Sequence, residues 1–218
     1  MILTPVAYYR GPLSSKFGIP RQSGLAGDIE GRIVFEPAYR NREALRGLEG
    51  VDRLWLIWEF SANRPAKGTW QPTVRPPRLG GNTAVGVWAT RSPYRPNPLG
   101  LSCVKLRGLD GMDLLVSGAD LMDGTPVYDI KPYIAYADAW PDAACAFVPG
   151  APERKLEVVL PQDLPLNERE RAALTEILAL DPRPAYQDDP LRVYGMPFQG
   201  KDVHFMVKDN VLTVIDYA

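Results

Sequence analysis

Cysteine and histidine are scarce in this chain. Its 218 residues include two cysteines, Cys103 and Cys145, and one histidine, His204. Neither cysteine belongs to a C-x-x-C pair or has a histidine nearby, which argues against a zinc site and against a disulfide framework. Both are expected in the core as small apolar residues. His204 sits in an alternating strand pattern and reads as structural. The common catalytic signatures are missing as well: there is no G-x-S-x-G, no H-E-x-x-H and no Walker A lysine motif. Gly80-Gly81-Asn82 is not a G-x-G-x-x-G, and no helical pattern follows it, so a Rossmann-type cofactor site is not expected. Apolar runs such as Leu54–Trp58 are far shorter than the ~20 residues of a membrane-spanning helix. The opening Met1-Ile2-Leu3-Thr4-Pro5 lacks the charged-then-apolar build of a signal peptide. A cytoplasmic protein with no metal and no membrane partner is the expectation.

Acidic residues are missing locally. From Phe60 through Leu109 there is no Asp or Glu, yet eight basic residues occur: Arg64, Lys67, Arg75, Arg78, Arg91, Arg95, Lys105 and Arg107. With these eight set aside, 17 of the 25 basic residues stand against all 26 acidic ones elsewhere, so the net charge of −1 conceals a basic region. Such asymmetry is the footprint of a protein that meets a polyanion at one place. It is also compatible with arginines that serve scattered surface pairs.

What the chain does have is ordinary globular composition, 45% hydrophobic and 23% charged, and abundant punctuation by 22 prolines and 19 glycines. Short β-branched and aromatic runs with turn-rich flanks predict strands at Val6–Tyr9, Arg32–Phe35, Leu54–Phe60, Ala84–Trp88, Ser102–Arg107 and Leu114–Ser117. Asp110-Gly111 predicts one hairpin, and Lys208-Asp209-Asn210 between Val203–Val207 and Val211–Ile215 predicts another. Helices are few. One short helix is expected over Arg42–Leu48 behind the cap Asn41. The clearer one spans Glu168 to Leu180, where Asn167 and Glu170 make an N-x-x-E capping box and Asp181-Pro182 ends the run. Strands repeated without alternating helices favour a barrel or sandwich. The proline-rich stretch between Asp142 and Leu166 suggests a linker with a strand inside it. The expected division is a mainly β domain over 1–145 and a small α+β domain (helix plus hairpin) over 146–218, docked on the first.

Two constellations could carry chemistry. Ala89–Ser102 places Arg91 and Arg95 with hydroxyl side chains and Tyr94 on a proline-stiffened loop, which loses little entropy when it grips a ligand. Arginine offers a planar donor fork for phosphate or carboxylate and stacks on bases. A rigid connector with internally paired arginines is the structural alternative. Further on, Asp120–Tyr133 gathers three carboxylates, Asp120, Asp123 and Asp129, around Gly124-Thr125-Pro126. These could bind a ribose or an amine or take a proton, or Asp123-Gly124 could simply make the turn.

At these residues the chain resembles the TsaA/TrmO family, also called YaeB-like. The resemblance rests on Gly86–Ser102 (GVWATRSPYRPNPLGLS) and Asp120–Tyr133 (DLMDGTPVYDIKPY), with support from Lys16–Gln22 (KFGIPRQ), Leu54–Phe60, Arg75–Asn82 (RPPRLGGN) and Asp181–Tyr186 (DPRPAY). It extends over essentially the whole chain. What it implies is an S-adenosylmethionine-dependent tRNA methyltransferase whose substrate is N6-threonylcarbamoyladenosine beside the anticodon. It further implies a β-barrel N-terminal domain that binds the cofactor without a Rossmann sheet, usually in a homodimer. Carried over by motif, the cofactor contacts would be Pro20, Arg21, Gln22, Ser61, Ala62, Arg91, Leu101, Asp120, Leu121, Met122 and Asp123. Relatives often have a polar residue or histidine where this chain has Ser61-Ala62, so backbone contact is the expectation there.

Methyl transfer from a sulfonium is an in-line displacement, so alignment should supply much of the rate. The accepting N6 is a poor nucleophile that loses a proton, and Asp120, Asp123 and Tyr94 are the candidate bases by chemistry alone. Arg75, Arg78, Arg95, Arg183 and Tyr186 are expected to grip and stack on the anticodon loop. Two other functions remain open on the sequence: a methyltransferase with a different acceptor, and a non-catalytic RNA-binding barrel.

Overall fold

The computed structural model describes residues 2–63, 70–76, 82–145, 156–183, 187 and 189–218. Among the described residues twelve strands follow one another. The first three are β1 (Ala7–Arg10), β2 (Glu30–Phe35) and β3 (Arg53–Glu59), followed by the two-residue strands β4 (Thr73–Val74) and β5 (Val85–Gly86). Then come β6 (Leu99–Asp110), β7 (Asp113–Ser117), β8 (Pro126–Pro132), a one-turn helix α1 (Ala135–Asp138) and β9 (Glu157–Val159). The chain closes with α2 (Glu168–Ala179), β10 (Tyr194–Phe198), β11 (Lys201–Lys208) and β12 (Val211–Tyr217).

Six strands form a closed antiparallel barrel in the order β1-β2-β7-β6-β3-β8. Period-two alternation sorts the faces. On β3, Leu54, Leu56 and Trp58 point inward, joining Tyr9, Ile33, Leu114 and Val127 in the barrel core. Outward-facing Trp55 packs on Tyr133 and donates from Nε1 to Asp138 at 2.9 Å. The same alternation on β6 corrects the expectation for the cysteines. Ser102 and Val104 face in, leaving Cys103 half-buried on the outer side, while Cys145 lies exposed after α1.

The second unit is a four-stranded sheet, β10-β11-β12-β9, with β9 parallel to β12. Its core lies between α2 (Leu174, Ile177, Leu178) and the inner sheet face (Phe198, Phe205, Leu212). It also takes in Leu13, Ala26 and Ile29 from the long β1–β2 loop. The backbone of Gln199 donates to Pro12 O at 2.8 Å, and that of Asp28 to Glu176 Oε2 at 2.9 Å. The barrel and the C-terminal unit therefore share this loop. The expected division at 145/146 falls against residues 146–155, outside the described residues.

Several expectations hold in detail. Both halves of the Asn167/Glu170 capping box are formed, and Asp209 and Asn210 take φ of 51° and 62° in the β11–β12 turn. Three differ. The strand expected over Ala84–Trp88 shortens to Val85–Gly86, because Val87 O accepts from both the backbone N–H and the hydroxyl of Thr90 and closes a 3-10 turn over Val87–Ala89. The helix expected over Arg42–Leu48 breaks into 3-10 turns at Arg42–Leu45 and Leu48–Gly50, because Gly47 between them has φ of 92°. The carboxylate turn at Asp120 runs on into a full strand, β8. His204 is held by Asp216, with Nδ1 and Oδ1 2.5 Å apart, on the outer sheet face. Among the described residues no helix is long and apolar enough to cross a membrane.

Candidate active site

The antiparallel register brings to one end of the barrel the C-terminal ends of β1, β3 and β7 and the N-terminal ends of β2, β6 and β8. A cavity of about 680 Å³ opens there. Its walls come from the β1–β2 loop, the end of β3 with the turn after it, the proline-rich loop before β6, and the β7–β8 connection. A volume of this size suits a small-molecule ligand.

Of the eleven residues expected at a cofactor site, nine line this cavity: Pro20, Arg21, Gln22, Ser61, Ala62, Arg91, Leu101, Asp120 and Met122. The other two lie behind it. Leu121 is buried in the barrel core. Asp123 accepts from the backbone N–H of Gly11 at 3.1 Å, pairs with Arg10 at 3.6 Å, and its own N–H donates to Leu13 O. It thus ties the β7–β8 connection to the loop that carries Pro20–Gln22.

Asp120 is the most constrained acid in the cavity. Its Oδ1 accepts from the Ser102 hydroxyl at 2.5 Å, and Ser102 Oγ in turn accepts from Trp58 Nε1 at 2.9 Å. Burial raises the Asp120 carboxyl above the ordinary carboxylate range, opposed by the Ser102 hydrogen bond, backbone N–H bonds and the nearby Arg91 charge. Gly100 makes this arrangement possible. It pairs with Trp58 across the β3–β6 ladder, and a Cβ there would lie 2.3 Å from the indole Cε2. Trp58 and Phe60, with centroids 4.3 Å apart, supply an apolar wall.

The loop before β6 is braced by its own hydroxyls. Ser92 N–H donates to Thr90 Oγ1 at 3.2 Å and Tyr94 N–H to Ser92 Oγ at 3.3 Å. Arg95 lines the cavity but its Nη1 also donates to Thr90 O at 2.6 Å, pinning the loop. Arg91 is exposed and donates to Gln22 Oε1, joining this loop to the β1–β2 loop. Tyr94 stands outside the cavity, largely exposed.

The residues expected to touch RNA scatter more widely. Arg75 is exposed beside β4. Arg183 folds back on Asp181 through Nε–Oδ1 at 2.9 Å and Nη2–Oδ2 at 3.1 Å, with only 10% of its side chain exposed. It therefore closes the end of α2 instead of presenting a free guanidinium. Arg78 and Tyr186 lie outside the described residues. Trp58, Phe60, Ser102 and Gly100 were not singled out by sequence reasoning; their signal is the strand pairing, which only the folded register reveals.

Comparison with known proteins places the chain in a family. The family model for the tRNA-methyltransferase O N-terminal domain matches residues 8–139, and that for the TrmO C-terminal domain matches 157–218. The chain is 39% identical to the tRNA (adenine(37)-N6)-methyltransferase of Escherichia coli K12, over 94% of this chain and 92% of that protein. It is 42% identical to the putative S-adenosylmethionine-dependent methyltransferase RcsF of Pseudomonas aeruginosa, over 99% of this chain and 97% of that one. Its fold superposes on a crystal structure of TrmO from Pseudomonas aeruginosa with a TM-score of 0.82 at 32% identity, covering 100% of this chain and 98% of that chain. On the family models and on relatives this similar over nearly their full length, the chain belongs to the TrmO family.

Proposed function

We infer that the chain is an S-adenosylmethionine-dependent tRNA methyltransferase acting on N6 of adenosine 37, the acceptor being its threonylcarbamoyl form. Relatives across its whole length carry the names tRNA (adenine(37)-N6)-methyltransferase and S-adenosylmethionine-dependent methyltransferase. The observation that carries the reading is the cavity, whose donor set matches the cofactor's chemistry. The guanidiniums of Arg21 and Arg91 suit a carboxylate, Asp120 suits an ammonium or sulfonium charge, and Trp58 and Phe60 suit an aromatic or thioether surface.

When bound, the cofactor supplies a methyl group on a cationic sulfur. The chain's own residues bind, align and manage the proton. The barrel end holds Asp120 in one orientation through Ser102 and Trp58, so a carboxylate faces the cavity without needing to reorganise. Its raised proton affinity makes it a better acceptor for the N6 proton than an ordinary surface aspartate. Asp123 lies outside the cavity lining and bonds Gly11 and Arg10, and the hydrogen bonds shown for Tyr94 run through its backbone, so Asp120 is the favoured base. The exposed Ile134, Tyr136 and Trp140 around α1 offer an apolar surface that a second copy would cover in a homodimer. A cytoplasmic location follows from the tRNA substrate.

Calorimetry with S-adenosylmethionine and a methyl-transfer assay on tRNA test the reading together. Cofactor binding with methylation of tRNA supports it. Cofactor binding with transfer only to a small metabolite would replace the acceptor, and absence of cofactor binding would leave a non-catalytic RNA-binding barrel.

A further inference from the structure

Two tryptophans beside the cavity stay largely in solvent although they pack on each other. Trp88 is 66% and Trp70 42% exposed. They flank the β4–β5 pair, and their ring centroids lie 5.9 Å apart at 31°. Their positions are fixed by the backbone: Val87 N–H donates to Pro72 O at 3.0 Å, and Gln71 N–H to Tyr94 O at 3.4 Å. The Arg95 guanidinium sits 5.3 Å over the Trp88 ring, on the same side chain that lines the cavity. Leaving two large indoles in water on a braced element is unfavourable unless something covers them.

We propose that Trp70, Trp88 and Arg95 form a stacking platform for an unpaired nucleobase of the RNA, adjacent to the adenosine being methylated. The proposal rests on the tRNA methyltransferase reading and extends it to named residues that position the substrate. The occupant is argued from charge and shape together. The segment that carries the platform holds no carboxylate from residue 60 to 109, and Arg75, Arg91 and Arg95 lie within it. A nucleotide satisfies both features at once, presenting a flat π-face to the indoles and a phosphate to the arginines. A second copy of the chain meeting this patch about a two-fold axis would bring one acid-free, arginine-bearing patch against its own copy. An acidic peptide would pair with the arginines and leave the indoles wet. Because Arg95 belongs to both the platform and the cavity wall, the stacked base is a neighbour of the reacting one. The two indoles, which lie outside the cavity lining, thus align the RNA loop.

The test compares Trp88→Ala and Trp88→Phe with the wild type, using an unmodified-length anticodon stem-loop carrying the threonylcarbamoyl group as substrate. The expected result is a rise of about 5- to 100-fold in KM for the RNA in Trp88→Ala. Phe should restore most of that loss, and the affinity for S-adenosylmethionine by calorimetry should be unchanged in both variants. Tryptophan fluorescence of the wild type should be quenched by the stem-loop, and less so in Trp88→Ala. A KM within about twofold of wild type in Trp88→Ala would overturn the platform. So would sedimentation showing that Trp88→Ala dissociates an oligomer and loses activity only where it does so, which would make the patch a contact between copies. A wild type that binds the cofactor but methylates no RNA counts against the functional reading itself, whereas an active wild type with an indifferent Trp88→Ala counts against the platform alone.

Discussion

Replacing Gly100 with alanine should damage the cavity through one added methyl group. The Cβ would stand 2.3, 2.4 and 2.7 Å from Cε2, Cζ2 and Cδ2 of Trp58, all well inside contact distance. Those atoms belong to a rigid ring, itself only 6% exposed and fixed at Nε1 by Ser102. The indole must tilt or β3 and β6 must separate. Overpacking of this kind costs about 1–3 kcal/mol, a fall in Tm of roughly 2–12 °C for a chain of this size. Tilting the indole also removes the donor that holds Ser102 against Asp120, so cofactor affinity should fall with stability. The assay is a double-mutant cycle with Trp58→Phe, read by urea denaturation. If the clash is the cause, the smaller ring relieves it, and the two changes together are less harmful than their sum by about 0.5–3 kcal/mol. Strict additivity, or a Gly100→Ala variant with wild-type Tm and cofactor affinity, would refute the reasoning.

Asp120→Asn should lower methyl transfer strongly while raising Tm at neutral pH. Burial raises this carboxyl above its ordinary value of 3.8, so the folded state binds the proton more tightly than the unfolded state does. The group's contribution to stability is therefore greatest below that ordinary value and is lost as pH rises through the higher folded one; denaturation midpoints of wild type and variant across that window check the sign. Arg91→Ala should weaken S-adenosylmethionine binding by calorimetry, whereas Arg75→Ala should weaken tRNA binding, with a shallower salt dependence. Asn167→Ala removes half of the α2 capping box and should destabilise the chain by about 1 kcal/mol, measured by thermal unfolding. Cofactor affinity in the folded protein should not change.

Most barrel strands, the C-terminal hairpin and the capped helix are legible in the sequence because their signals are local, whereas β8 and β10 are not. Alternation on β3 and β6, the Asn167/Glu170 pair and the Asp209-Asn210 turn each depend on residues a few positions apart. The cavity depends on residues brought together from positions 16 to 125 by ladder register, which no local pattern encodes. Motif resemblance supplied most of its lining, but it did not distinguish side chains that face the cavity from those that brace it. Asp123 shows the difference, since its partners Arg10, Gly11 and Leu13 lie at the end of β1 and in the loop after it, more than a hundred residues earlier. Arg183 shows another, because the left-handed turn at Asp181, with φ of 56°, swings that carboxylate onto the arginine two residues on. The sequence pattern predicts a strand at Trp88, and the 3-10 turn that holds it in solvent closes on Val87 O through both the backbone N–H and the hydroxyl of Thr90. The acid-free segment holds Arg91 and Arg95, which line the cavity, and the exposed Arg75, which does not, a distinction that charge alone does not draw.

The central claim is methyl transfer to threonylcarbamoyladenosine by this chain. Purified protein, tRNA bearing that nucleoside and S-adenosylmethionine with a deuterated methyl group should be combined, and the digested nucleosides read by mass spectrometry. The account predicts that the deuterated methyl appears on N6 of threonylcarbamoyladenosine and that Asp120→Asn greatly reduces it. A protein that binds the cofactor and leaves that nucleoside unlabelled would contradict it.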